Sequence, residues 1–211
     1  MDKFLQWLQS LNIPNPPHSV EDLMQRKELD LSYKGLSYLP DEICNLTNLK
    51  GLNLIRNELR FLPRDFGKLT NLVKLGLCSN KYLTDISEIS NLTNLQWLNL
   101  SGNKGIEIPD LSKLQNLKEL YIQDMNIFDS SIDRILQAKN VERLNIAQND
   151  FRDIEALGGL KKLEYIVFDA DSWYLRVPKW LENDEWSYTT DTVQYYHSVY
   201  VFRKNNKGGV R

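Results

Sequence analysis

The side chains able to do covalent or metal chemistry are few, and they are far apart. The only two histidines, His18 and His197, fall in opposite terminal segments, and the only two cysteines, Cys44 and Cys78, lie near neither. A Cys-His zinc site or a Cys-His nucleophile pair needs these groups within bonding reach of one another, and this spacing does not provide it. There is no glycine-rich phosphate loop; Gly158-Gly159 reads as a turn. Catalytic residues, metal ligands and cofactors are therefore assigned to none, and the chain is read as a non-enzyme. The chemistry that remains is recognition. Trp97, Glu119, Tyr121, Arg143 and Tyr165, with Asn99 and Asn145, combine large aromatic surface with opposite charge, the composition of an interaction hot spot.

These residues owe their spacing to a repeat. Leu49 to Leu59 reads Leu-Lys-Gly-Leu-Asn-Leu-Ile-Arg-Asn-Glu-Leu, and its second leucine recurs as Leu29, Leu52, Leu75, Leu98, Leu120, Leu144 and Ile166, at intervals of 23, 23, 23, 22, 24 and 22. Alternation at period two predicts a short strand in each copy, with Leu52 and Leu54 inward and Gly51, Asn53 and Ile55 outward. The rest of each copy returns on the other side with its own apolar ladder: Leu36, Leu39, Ile43 and Leu46, then Leu59, Leu62, Phe66 and Leu69. Each coil buries its apolar residues against its neighbours and could not stand alone.

Leu49, Leu52, Leu54, Asn57 and Leu59 fit the pattern L-x-x-L-x-L-x-x-N-x-L. Residues 24–181 thus resemble the leucine-rich-repeat family, most closely its short bacterial-type intracellular members. The resemblance implies an α/β solenoid, a horseshoe with a parallel sheet on its concave face, that binds another protein there. Leu39-Pro40, Leu62-Pro63 and Ile108-Pro109 resemble one dialect of return segment; Leu83-Thr84-Asp85-Ile86 and Phe151-Arg152-Asp153-Ile154 resemble a tighter one. Around Ser130 to Leu136 a cap residue and helical spacing predict a real helical turn. Arg134, Arg143 and Arg152 are similar to arginines of repeat-containing activators of small GTPases, but arginines so scattered do not define a site.

Asn57, Asn80, Asn103 and Asn149 occupy the asparagine position, where the family implies an amide buried in the turn and bonded to backbone between coils. Lys34, Met125 and Asp171 depart from it. Met125 can neither donate nor accept such bonds, which predicts a break in the ladder at the fifth coil. The outward strand positions are read as free of structural duty. Before the second leucine stand Glu28, Gly51, Lys74, Trp97, Glu119, Arg143 and Tyr165; Asn99, Tyr121, Asn145 and Val167 stand between the leucines, and Ala147 follows the third in its coil. Strands four to seven therefore carry the aromatic residues, while strands one to three are small or mixed. Seven strands ~4.8 Å apart span about 29 Å, so a tight partner would also use the flanking loops.

Residues 1–23 read as a helical N-terminal cap, with Phe4, Leu8 and Leu11 at helical spacing over residues 2–12 and a capping-box start at Ser19. Residues 182–203 read as a C-terminal cap, Asn183 to Thr190 a polar connection and Thr192 to Phe202 a strand; Arg203 to Arg211 read as a disordered basic tail, counted as a unit over 204–211. Half of the chain's aromatic residues lie between Tyr165 and Phe202. The bland reading is that they seal the last coil, and the sharper one that they bind or dimerise.

A net charge of -2 gives no attraction to nucleic acid, and no apolar run is long enough to span a membrane. The N-terminus lacks the pattern of a secretory signal, and neither end carries a cysteine cluster, so the expected location is the cytoplasm. The sequons at Asn45 and Asn91 belong to the repeat phrase Asn-Leu-Thr-Asn-Leu. The expected function is a non-enzymatic module, monomeric, binding an unidentified protein on its concave face. The alternatives are a secreted effector acting on host proteins and a chain that self-associates through its C-terminal cap.

Overall fold

The computed structural model describes residues 1–170, 175–193 and 197–205, with side chains at 191–193 and 197 left aside. Helices α1 (Asp2–Ser10) and α2 (Val20–Gln25) precede seven strands: β1 (Glu28–Asp30), β2 (Gly51–Asn53), β3 (Lys74–Gly76), β4 (Trp97–Asn99), β5 (Glu119–Tyr121), β6 (Arg143–Asn145) and β7 (Tyr165–Asp169). Helix α3 (Ile132–Leu136) lies between β5 and β6, and β8 (Trp186–Val193) and β9 (His197–Lys204) complete the chain. The strands form one sheet in the order β1-β2-β3-β4-β5-β6-β7-β9-β8.

The sequence period becomes spatial register. Leu29, Leu52, Leu75, Leu98, Leu120, Leu144 and Ile166 pair in a straight line across β1 to β7, all parallel. All seven are buried, as are Leu31, Leu54, Leu77, Leu100, Ile122, Ile146 and Phe168 two residues on. Most returns carry a short 3-10 turn, such as Asp41–Asn45, Ser87–Asn91 and Glu155–Gly159. Isoleucine and leucine from them close one continuous core that runs from Phe4 to Phe202.

Two asparagine rows join the coils. In the first, Asn57 Oδ1 accepts from Lys34 N and Leu36 N, and its Nδ2 donates to Leu31 O and Leu54 O. Asn80, Asn103 and Asn149 repeat the Nδ2 pattern toward their own and the preceding coil. At the fifth coil buried Met125 fills the place instead. Leu54 O and Leu77 O each receive two asparagine amides, whereas Leu100 O and Ile122 O each receive one. The second row, Asn48, Asn71, Asn94, Asn116 and Asn140, donates at 2.7 to 2.9 Å to carbonyls one coil back.

At the N-terminal end Ser19 Oγ accepts from Asp22 N, and the Asp22 carboxylate accepts from His18 N and Arg26 Nη2. These bonds hold that carboxyl below its ordinary pKa, the backbone bond from His18 contributing most. The α3 turn forms as its spacing implies, but the Ser131 side chain makes no cap bond. Asp129 Oδ1 instead reaches into the next coil and accepts from Arg152 N and Asp153 N.

The C-terminal segment corrects three expectations, the first being the single strand over Thr192 to Phe202: Thr192 and Val193 end β8, and His197 begins β9. Asn183 to Thr190 is not merely a connection: Trp186 to Thr190 belong to β8, which forms an antiparallel hairpin with β9. Arg203 and Lys204 are not tail but the end of β9, which pairs antiparallel with β7. Thr189-Thr190-Asp191-Thr192 gives β8 no apolar alternation over its second half, the pattern by which a half-buried strand is read. Asp171, Trp173 and the tail residues 206–211 lie outside the described residues.

Candidate concave recognition surface

One register row crosses the concave side of the sheet. Trp97 pairs with Glu119, Glu119 with Arg143, Arg143 with Tyr165, and Tyr165 with Arg203. Trp97 and Tyr121 rings meet at 5.8 Å, tilted by 47°. Tyr121 Oη donates to Glu119 Oε2 at 2.7 Å, and the same oxygen lies 3.7 Å from Arg143 Nε. The Arg143 guanidinium stands 4.1 Å from the Tyr165 ring centroid, with that of Arg203 at 5.8 Å. The structure thus brings all five central candidates into one network. Trp97, Glu119, Tyr121 and Tyr165 are half-buried and Arg143 is exposed.

Burial, and next to it the Glu119 hydrogen bond, raises the Tyr121 phenol above the ordinary tyrosine pKa. Both disfavour a phenolate, the first by desolvation and the second by placing a carboxylate against it. The phenol is therefore fixed as a donor to Glu119, and Glu119 in turn orients Arg143. Aromatic faces and guanidinium are thereby held by one another in a single arrangement.

The outward positions are not all free of structural duty. Asn99 Oδ1 accepts from Ser101 N and Asn145 Oδ1 from Ala147 N, as Asn53 Oδ1 does from Ile55 N. Each folds back on its own strand end with its Oδ1 engaged by one backbone N–H, and Asn145 Nδ2 also reaches Gln123 Oε1 at 3.3 Å. Val167 and Ala147 point outward yet are buried, because Val199 and Val201 of β9 pack with them. Arg203 escaped sequence reasoning because it was placed in the tail. The alternation Val199-Val201-Arg203 was the signal that puts it on the concave face.

Strands β1 to β3, small in sequence, produce relief instead. Glu28, Lys74, Trp97, Lys118 and Glu119 wall a trough of about 560 Å³ floored by Gly51 and Gly76. A side chain at Gly76 would press on Ile55 at 3.1 Å. Trp97 is therefore both the wall of this trough and the first member of the aromatic row.

A second feature missed in sequence is the run of exposed aromatics beyond the strand ends, including Tyr33, Tyr38, Phe61 and Tyr82. Arg56 covers the Tyr33 ring at 5.3 Å, and Lys81 that of Tyr82 at 4.9 Å. Among the described residues no group of three His, Cys, Asp or Glu could hold a metal, and no helix is long and apolar enough to cross a membrane.

The model of a leucine-rich repeat region matches residues 9–189. The chain belongs to the leucine-rich-repeat family. Members of this family are typically non-enzymatic protein-interaction modules. Among solved structures, an internalin from Listeria monocytogenes superposes with a TM-score of 0.50 at 22% identity, covering 69% of this chain and 49% of that one. The chain thus spans about half the length of that internalin chain, and the likeness concerns the fold. No curated protein matches the chain.

Proposed function

We propose that this leucine-rich-repeat chain binds a protein partner through the row Trp97, Glu119, Tyr121, Arg143, Tyr165 and Arg203, with the neighbouring trough taking a projecting side chain of that partner. The observation that carries this reading is the contiguity of the row: two aromatic contacts and one shared carboxylate hold half-buried rings and an exposed guanidinium in a single arrangement across four coils and the hairpin. Large aromatic and arginine side chains in such settings dominate interface energetics. The sheet needs none of them for its own core, which the leucines on the opposite face supply.

The module acts without catalysis and as a cytoplasmic protein. Unpaired Cys44 and Cys78 support a reducing compartment. Trp97→Ala combined with Tyr121→Ala is expected to abolish capture of the partner from native lysate, each truncation costing roughly 2 kcal/mol or more of binding. The thermal unfolding transition should stay within a few degrees of the parent. Undiminished capture by the double variant would refute this assignment.

A further inference from the structure

Among the described residues, the far end of the sheet leaves a strand edge unpaired. β8 is outermost, and among the described residues no strand pairs with its outer side. Which of its backbone groups face outward follows from the hydrogen bonds. Asn205 N donates to Glu185 O at 2.7 Å, which makes that a bonded pair. Bonded and non-bonded pairs alternate along an antiparallel ladder. With Ser187 opposite Arg203 and Thr189 opposite Val201, the odd-numbered residues of β8 direct their N–H and C=O to β9. The other side of β9 agrees: Lys204 N donates to Glu164 O and Ala170 N to Ser198 O, so its even-numbered residues serve β7. Tyr188, Thr190 and Thr192 therefore present their backbone groups to the open edge, while Trp186 N is held by Asn183 O.

Soluble proteins blunt such edges with lysine, proline, a bulge or a very short strand. β8 has none of these and carries a single charge, Asp191. It is eight residues long, Trp-Ser-Tyr-Thr-Thr-Asp-Thr-Val, and its pairing with β9 is unbroken. The opposite edge, β1, is three residues long with both end residues charged and exposed. Tyr188 sits on the open edge and is 61% exposed, although its ring stacks on Phe202 at 5.2 Å.

We propose that β8 docks a second copy of this chain, the two β8 strands pairing antiparallel about a two-fold axis at Thr190. The strand is self-complementary in that register. Tyr188 stands opposite Thr192 of the second copy and Thr189 opposite Asp191, so the strand's only charged residue does not face itself. Each of the three outward pairs exchanges two N–H···O bonds. A seam one strand long, about 27 Å, is smaller than a standard interface of roughly 800 Å² per partner. The dimer is therefore weak and concentration-dependent, and the seam does not use the concave row.

Sedimentation velocity and amide exchange on the full chain, from micromolar to millimolar, test the proposal. The parent sediments faster as concentration rises, and the amides of Tyr188 and Thr190 slow in step, while that of Thr189 is protected throughout. Thr190→Pro deletes one outward N–H without touching a bond to β9, and edge strands tolerate proline. It should weaken association about tenfold or more. Tyr188→Lys keeps every backbone group and should weaken association likewise; it decides the matter if circular dichroism shows the proline variant misfolded. A parent that stays monomeric at every concentration overturns the proposal. So does association that the folded variants leave unchanged, or exchange at Tyr188 and Thr190 that ignores concentration.

Discussion

Asn103 shows how one residue type can matter unequally at equivalent places. Leu54 O and Leu77 O are each reached by two ladder asparagines, but Leu100 O is reached by Asn103 alone because Met125 stands in the next coil. Each substitution strips one backbone N–H of its acceptor, Leu59 N for Asn80→Ala and Asn80 N for Asn103→Ala, but only Asn103→Ala also orphans a buried carbonyl, Leu100 O. Asn103→Ala should cost about 2–3 kcal/mol against about 1–2 for Asn80→Ala, since an orphaned buried group is the expensive outcome; urea unfolding of the two variants measures this. In the coil facing Met125, Asn103 N and Gly105 N have no acceptor among the described residues. Their amides should exchange faster than that of Asn80, and equal protection would contradict a break in the ladder. Thiols separate in the same way. Burial, then the charge of Asp65, pushes Cys44 up to about 11, whereas Cys78 is half-buried. A disulfide reagent near neutral pH should titrate Cys78 and leave Cys44 until the chain unfolds. The raised Tyr121 pKa carries a sign as well: the folded state holds that proton more tightly than the unfolded state. Its contribution is present below pH ~10 and is lost as pH rises further. Tyr121→Phe should flatten this loss in alkaline unfolding curves.

At the scale of elements, the strands were legible because one face of each is occupied by leucine at a fixed interval. The hairpin was legible only in part: the valines and aromatics of β9 mark a strand, but β8, with serine, four threonine or aspartate positions in a row and no repeat leucine, reads as a connection. Gly158 makes a similar point. Sequence suggests a turn at Gly158-Gly159, but the structure places Gly158 within the 3-10 segment Glu155–Gly159, directly beneath Trp180. A Cβ there would stand 2.8 Å from the indole ring. Gly158→Val should therefore displace Trp180 from the core end and destabilise the chain by about 1–3 kcal/mol. Thermal unfolding reads the loss, and tryptophan emission moves to longer wavelength as the ring meets water.

Across the whole molecule, a 23-residue rhythm is enough to specify the solenoid, because each coil repeats the same burial problem and neighbours solve it for one another. The family, the parallel sheet, the inward leucines and the outward row from Trp97 to Tyr165 all follow from sequence for that reason. Tertiary structure alone decided which outward residues are available. Asn99 and Asn145 turn back on their own strands, and Val167 and Ala147 disappear under β9. Arg203 joins the concave row from the far end of the chain, and Gly51 and Gly76 become the floor of a trough beside Trp97. The physical reason is that burial within a coil is a local, periodic property written in residue type. Availability on the face depends on what distant segments cover, and a β-hairpin returning antiparallel to the last coil has no counterpart in the repeat.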